Sequence, residues 1–124
     1  MISHDVYKIL HLFGMFMLFS VLGGIALHAM NGGTKQDNVG RALIATLHGI
    51  ALLVILVGGF GMLARLGLVQ NGLPGWVYAK LAIWILLPFV GMIPYRRPAA
   101  AKWVLVSLPV FGGLAAWIAI YKPF

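Results

Sequence analysis

Four apolar runs, each long enough to cross a bilayer as a helix, occupy nearly all of this chain. A hydrocarbon core about 30 Å thick needs about 20 helical residues. The runs cover roughly residues 6–29, 41–64, 76–95 and 102–121. Inside lipid, every backbone N–H and C=O must find a partner within the protein, so an open sheet is excluded and a helix is the simplest span. Turn chemistry separates the runs. Asn31, Gly32 and Gly33 close the first, Asn71-Gly72 and Pro74-Gly75 lie between the second and third, and Arg96-Arg97-Pro98 closes the third. Short connections pack neighbours up and down. The expected fold is all-α: an integral membrane four-helix bundle with up-and-down topology, residues 1–124 forming a single transmembrane domain.

Composition agrees. The chain is 62% hydrophobic and 9% charged, where a soluble domain would be about half apolar and about a quarter charged. In 124 residues there is no room for a soluble catalytic domain beside four spans, so any activity must sit in the bundle or at its rims. The absence of cysteine excludes disulfides, thiolate metal sites, iron–sulfur clusters and c-type haem attachment. The net charge of +7 comes from residues flanking the spans, which points to anionic lipid headgroups rather than nucleic acid as partners. The first apolar run is too long for the h-region of a cleavable signal and is read as a retained span. Glycines on spans two and four suit close helix contact, either within one chain or in a homo-oligomer or larger membrane complex. Lys35, Arg41, Arg96, Arg97 and Lys102 outweigh Lys8, Arg65 and Lys122. By the positive-inside rule, both termini are expected on the non-cytoplasmic side of a bacterial inner membrane.

Lys80 enters the third run, in Trp76-Val77-Tyr78-Ala79-Lys80-Leu81, with no carboxylate of its own chain at its depth. The acidic residues are Asp5 and Asp37, and neither lies within a run. An ionisable residue inside a span is costly and is read first as functional. The plain alternative is snorkelling to the interface. Helix rise places Lys80 about 6 Å and His11 about 7 Å inside the same face. His48 lies about 10 Å inside the opposite face, and His28 leaves the first run at that face. The four residues therefore divide by leaflet, His11 with Lys80 and His28 with His48.

Neutral imidazoles on facing helices are the usual ligands of b-type haem. This makes His11, His48, His28 and Lys80 candidate cofactor-binding residues, with His11 and His48 as the candidate iron ligands. Arg41, Lys35 or Lys80 would meet the propionates, and Met15, Met17 or Met30 are alternative sixth ligands. Each histidine has a plainer reading as a packing residue bonded to a backbone carbonyl. Copper handling is a weaker reading because the methionines are scattered. So is proton translocation, because the spans hold no carboxylate.

The pattern Ile9-Leu10-His11, Leu47-His48 and Trp76 to Leu81 resembles the SirB-like family of small four-span membrane proteins, over most of the chain. The first-span histidine and the Trp-x-x-x-Lys-Leu of span three also resemble the HemJ-type protoporphyrinogen oxidases. That second resemblance implies functional weight on His11 and Lys80 and a bound haem b. HemJ-type proteins are longer and carry further polar positions that have no counterpart here. The copper-resistance CopD membrane domain is a more distant likeness. The expectation is a haem- or porphyrin-binding membrane protein with a redox or haem-handling role. The alternative is a non-catalytic accessory, assembly or regulatory subunit of a larger membrane complex. Enzymatic activity stays open.

Overall fold

Each apolar run forms a continuous helix in the computed structural model, which describes residues 2–70 and 72–124. The helices are α1 (His4–Met30), α2 (Arg41–Arg65), α3 (Gly75–Arg96) and α4 (Ala101–Tyr121), with a 3-10 turn at Pro98–Ala100 before α4. No strand occurs among the described residues. All four helices have the length and apolarity to cross a membrane, and the chain is an integral membrane four-helix bundle. Asn71, half of the Asn71-Gly72 turn signal, lies outside the described residues; its partner Gly72 takes a positive φ of 86°.

The helices start and stop for local reasons. Ser3 caps α1 by accepting the Val6 N–H at 3.3 Å, which satisfies one of the free amide groups of the first turn. Beyond α1, Gly32 at φ 83° turns the chain into the first loop. Pro88 and Pro109 lie inside α3 and α4 without ending them.

α1 is the centre of the bundle and packs against each of the other three helices. Leu18, Leu22, Ile25 and Ala26 on α1 are 1% exposed or less. In a bilayer, helices associate through close packing rather than through expulsion of water, so small residues set the contact. Three pairs fix α1 against α2. Tyr7 lies over Gly61, His11 over Gly58, and Ile55 over Gly14. Rising numbers on one helix meet falling numbers on the other, so the two are antiparallel. Leu22 fills the space that a side chain at Gly91 would take, joining α1 to α3, and Phe19 approaches Gly112 on α4.

By contrast, α2 and α3 hardly touch. The Trp84 indole N–H donates to the Leu52 carbonyl at 3.2 Å and bridges them. Towards the face that carries the start of α1 and the end of α4, both helices line a cavity together with α1 and α4. At the opposite face, Asn38 of the first loop donates to the Tyr95 hydroxyl at 2.9 Å and accepts the Gly40 N–H at 3.0 Å. This buried asparagine ties the α1–α2 loop to the end of α3. The outer faces carry exposed Ile9, Phe16, Leu43, Phe89, Val110 and Ile120, as a lipid-facing surface requires.

Candidate functional site

A cavity of about 330 Å³, lined by residues of all four helices, opens at the terminal face. His11, Met15, Ile55, Trp76, Lys80 and Trp84 are among the residues lining it. Its walls are mostly apolar and aromatic, and its polar side chains are His4, Lys8, His11, Lys80 and Lys122. Every one of them is basic.

His11 is held by α2. Its backbone lies against Gly58 and its ring against Gly59, where the absence of side chains lets the helices close. A Cβ at Gly58 would come within 2.6 Å of the His11 backbone nitrogen, and one at Gly59 within 3.3 Å of the ring Cε1. The His11 Nδ1 is 2.8 Å from the Ile55 carbonyl oxygen. A carbonyl only accepts, so Nδ1 carries the hydrogen and donates. In the neutral ring, Nε2 is then an unprotonated lone-pair donor. It has no hydrogen-bond partner among the described residues. His11 itself is 9% exposed.

Lys80 is half-buried on α3 and lines the same cavity. Its ammonium makes no ion pair or hydrogen bond among the described residues. The structure thus brings His11 and Lys80 to one cavity and does not bring His48 or His28 there.

His48 is half-buried in the opposite half of α2, and its Nε2 is sealed from solvent with no hydrogen-bond partner among the described residues. His28 is engaged by the first loop. Its Nε2 donates to the Thr34 carbonyl at 2.7 Å and to the Asp37 carboxylate at 2.9 Å. Gly24, one turn before His28, has open space where its side chain would be, and Gly14 on the same stripe is filled by Ile55. Arg41 donates to the Gln36 carbonyl at 2.6 Å and, like Lys35, does not line the cavity. Of the methionines weighed as ligands, Met15 lines it, and Met17 and Met30 do not.

No cluster of three or more His, Cys, Asp or Glu side chains able to hold a bare metal ion occurs among the described residues. A haem iron needs only one or two protein ligands, because the porphyrin supplies four nitrogens. Iron-ligating histidines usually donate their second ring N–H to a backbone carbonyl or carboxylate, which fixes the tautomer. His11 with Ile55 has this arrangement, so the residues of the cavity fit such a group.

Two participants were not singled out as site residues in the sequence. The Ile55 carbonyl is invisible there, although the Gly58-Gly59 pair in mid-span hints at a close approach over that turn. Up-and-down topology puts Lys122 on the same face as Lys80, with no sign in the sequence that the two share a cavity. The chain matches no protein-family model, no curated protein and no solved structure.

Proposed function

We propose that this bundle binds haem b or a related porphyrin in the cavity lined by all four helices, with a redox or haem-handling role. One observation carries the reading. The His11–Ile55 hydrogen bond fixes a neutral imidazole whose free Nε2 is the one uncommitted lone-pair nitrogen that His11 can offer to an aromatic-walled cavity. His11 would hold the iron from one side. Met15 lines the same cavity and is the alternative second ligand to an open position. Lys80 would face a propionate. When bound, the haem supplies one-electron chemistry. The chain excludes water with Trp76, Trp84 and its aliphatic walls and holds the histidine in one tautomer.

The resemblance to the HemJ-type family supports the same two residues, His11 and Lys80. The charge bias of the loops supports a bacterial inner membrane with both termini on the non-cytoplasmic side. The test is a haemin titration of the purified protein in detergent. Binding at one equivalent, with a Soret band that sharpens on uptake, is the expected result. A colourless protein that takes up no haemin would move the assignment to an accessory subunit of a larger complex.

A further inference from the structure

The mouth of the cavity has a feature that an iron ligand does not explain. Its titratable side chains are His4, Lys8, Lys80 and Lys122, with His11 below them. No carboxylate lines it. Asp5 pairs with His4 at 3.6 Å, but its side chain is 92% exposed and lies off the cavity. Lys80 from α3 and Lys122 from the end of α4 both line this cavity. Two ammonium groups on one cavity, with no acidic side chain among its described lining residues, are an anion site in the making.

The position of Lys122 is built. It ends α4 in the left-handed region, at φ 48° and ψ 61°, and its N–H donates to the Ile118 carbonyl at 2.8 Å. A lysine rarely takes that conformation. The turn sends Pro123 and Phe124 back over the start of α3, where the Phe124 Cβ would be 3.0 Å from a Cβ at Gly75. Gly75 therefore admits the crossing. The Lys122 Nζ ends 5.3 Å from the centre of the Trp76 ring. That cation–π contact is weak at an exposed site and is readily exchanged for a stronger acceptor.

We propose that Lys80 and Lys122 form a two-lysine carboxylate clamp, and that the cavity takes an apolar, ring-like body carrying carboxylates at its outer edge. The clamp rests on the porphyrin reading and names what that reading leaves open, the acidic edge by which the ligand is selected. Lys80 holds one carboxylate from α3. Lys122 leaves Trp76 to hold the other and brings residues 122–124 across the mouth as a strap. A phosphate-bearing lipid headgroup has similar anionic chemistry, so the test must separate the two sources.

Metal-free mesoporphyrin, a dicarboxylate, and its dimethyl ester serve as probes, read by porphyrin fluorescence in phosphatidylcholine nanodiscs. Wild type is expected to bind the diacid about 25- to 100-fold more tightly than the ester, the scale of two charge-assisted hydrogen bonds. Lys122→Gln and Lys80→Gln each lose about five- to ten-fold on the diacid and nothing on the ester, and Lys122→Arg retains the preference. Helical circular dichroism confirms that each variant is folded, and ester binding reports an intact cavity. If wild type binds both probes equally, the clamp is wrong and the cavity reading stands. If it binds neither, the clamp falls, and the haemin titration decides the porphyrin reading. If the lysine variants change only the association of phosphatidylglycerol added to the nanodiscs and leave diacid binding unaltered, the lysines serve lipid headgroups and the clamp is overturned.

Discussion

The Nδ1 of His11 lies 2.8 Å from the carbonyl oxygen of Ile55, across the closest helix contact in the bundle's α1–α2 pair. This bond orients the ring, sets its tautomer and depends on glycines at positions 58 and 59. Gly58→Leu should therefore separate α1 from α2, because the clash is with His11 backbone, which has no rotamer to yield. Overpacking of this kind costs about 1–3 kcal/mol. A thermal melt in detergent should show a clear drop in Tm. Gly49→Ala is the control: no atom stands within 4 Å of its added methyl, and helix propensity favours alanine by about 1 kcal/mol. Its Tm should hold or rise.

Much of this fold is legible in the sequence, because in a membrane the length of an apolar run and the chemistry of its breaks define a helix almost by themselves. The shared depth of His11 and Lys80 follows from helix rise alone. The sequence does not show that α1 sits at the centre and that α2 and α3 hardly touch. That arrangement depends on which glycine receives which side chain, Tyr7 over Gly61 or Leu22 over Gly91, and one apolar face looks much like another. The Lys122 turn was hidden for another reason: a lysine in the left-handed region has no residue signature. His28 is a candidate haem ligand by sequence, and in the structure its Nε2 is taken by Thr34 and Asp37 of the loop.

Lys80→Met separates tolerance from function. The ammonium is half-buried with no acceptor among the described residues, so an apolar replacement of similar length should leave thermal stability unchanged or raise it. Haemin affinity should fall about ten-fold with loss of one charged contact. Equal affinity in the two proteins would mean that Lys80 only snorkels.

Trp84→Phe tests the bridge that bounds the cavity. It removes the 3.2 Å bond to the Leu52 carbonyl, worth about 0.5–1.5 kcal/mol, and keeps most of the ring. A modest fall in Tm is expected, with hydrogen exchange rising along α3. An unchanged melt and exchange pattern would show that α2 and α3 are held together by other contacts.

The first loop should be acid-sensitive. The Thr34 N–H donates to the Asp37 carboxylate at 2.7 Å. That bond, followed by the His28 imidazole, holds the Asp37 carboxyl below its ordinary value. A carboxyl depressed in the folded state contributes stability above its unfolded value, and the contribution is lost as pH falls through the folded one. Exchange protection of the Thr34 amide should thus persist through about pH 4, the ordinary aspartate range, and disappear in stronger acid. Asp37→Ala should abolish the protection at neutral pH. Loss of protection in wild type well above pH 4 would contradict the assignment.

The central claim is that His11, and not His48, meets the ligand. The most direct measurement is the absorbance spectrum of haemin-loaded wild type, His11→Ala and His48→Ala, each reduced with dithionite and each checked for helicity. Wild type and His48→Ala should show a sharp Soret band with resolved α and β bands. His11→Ala should lose them and recover ligation on addition of free imidazole. A Soret band with resolved α and β bands that survives in His11→Ala but is lost in His48→Ala would contradict the account.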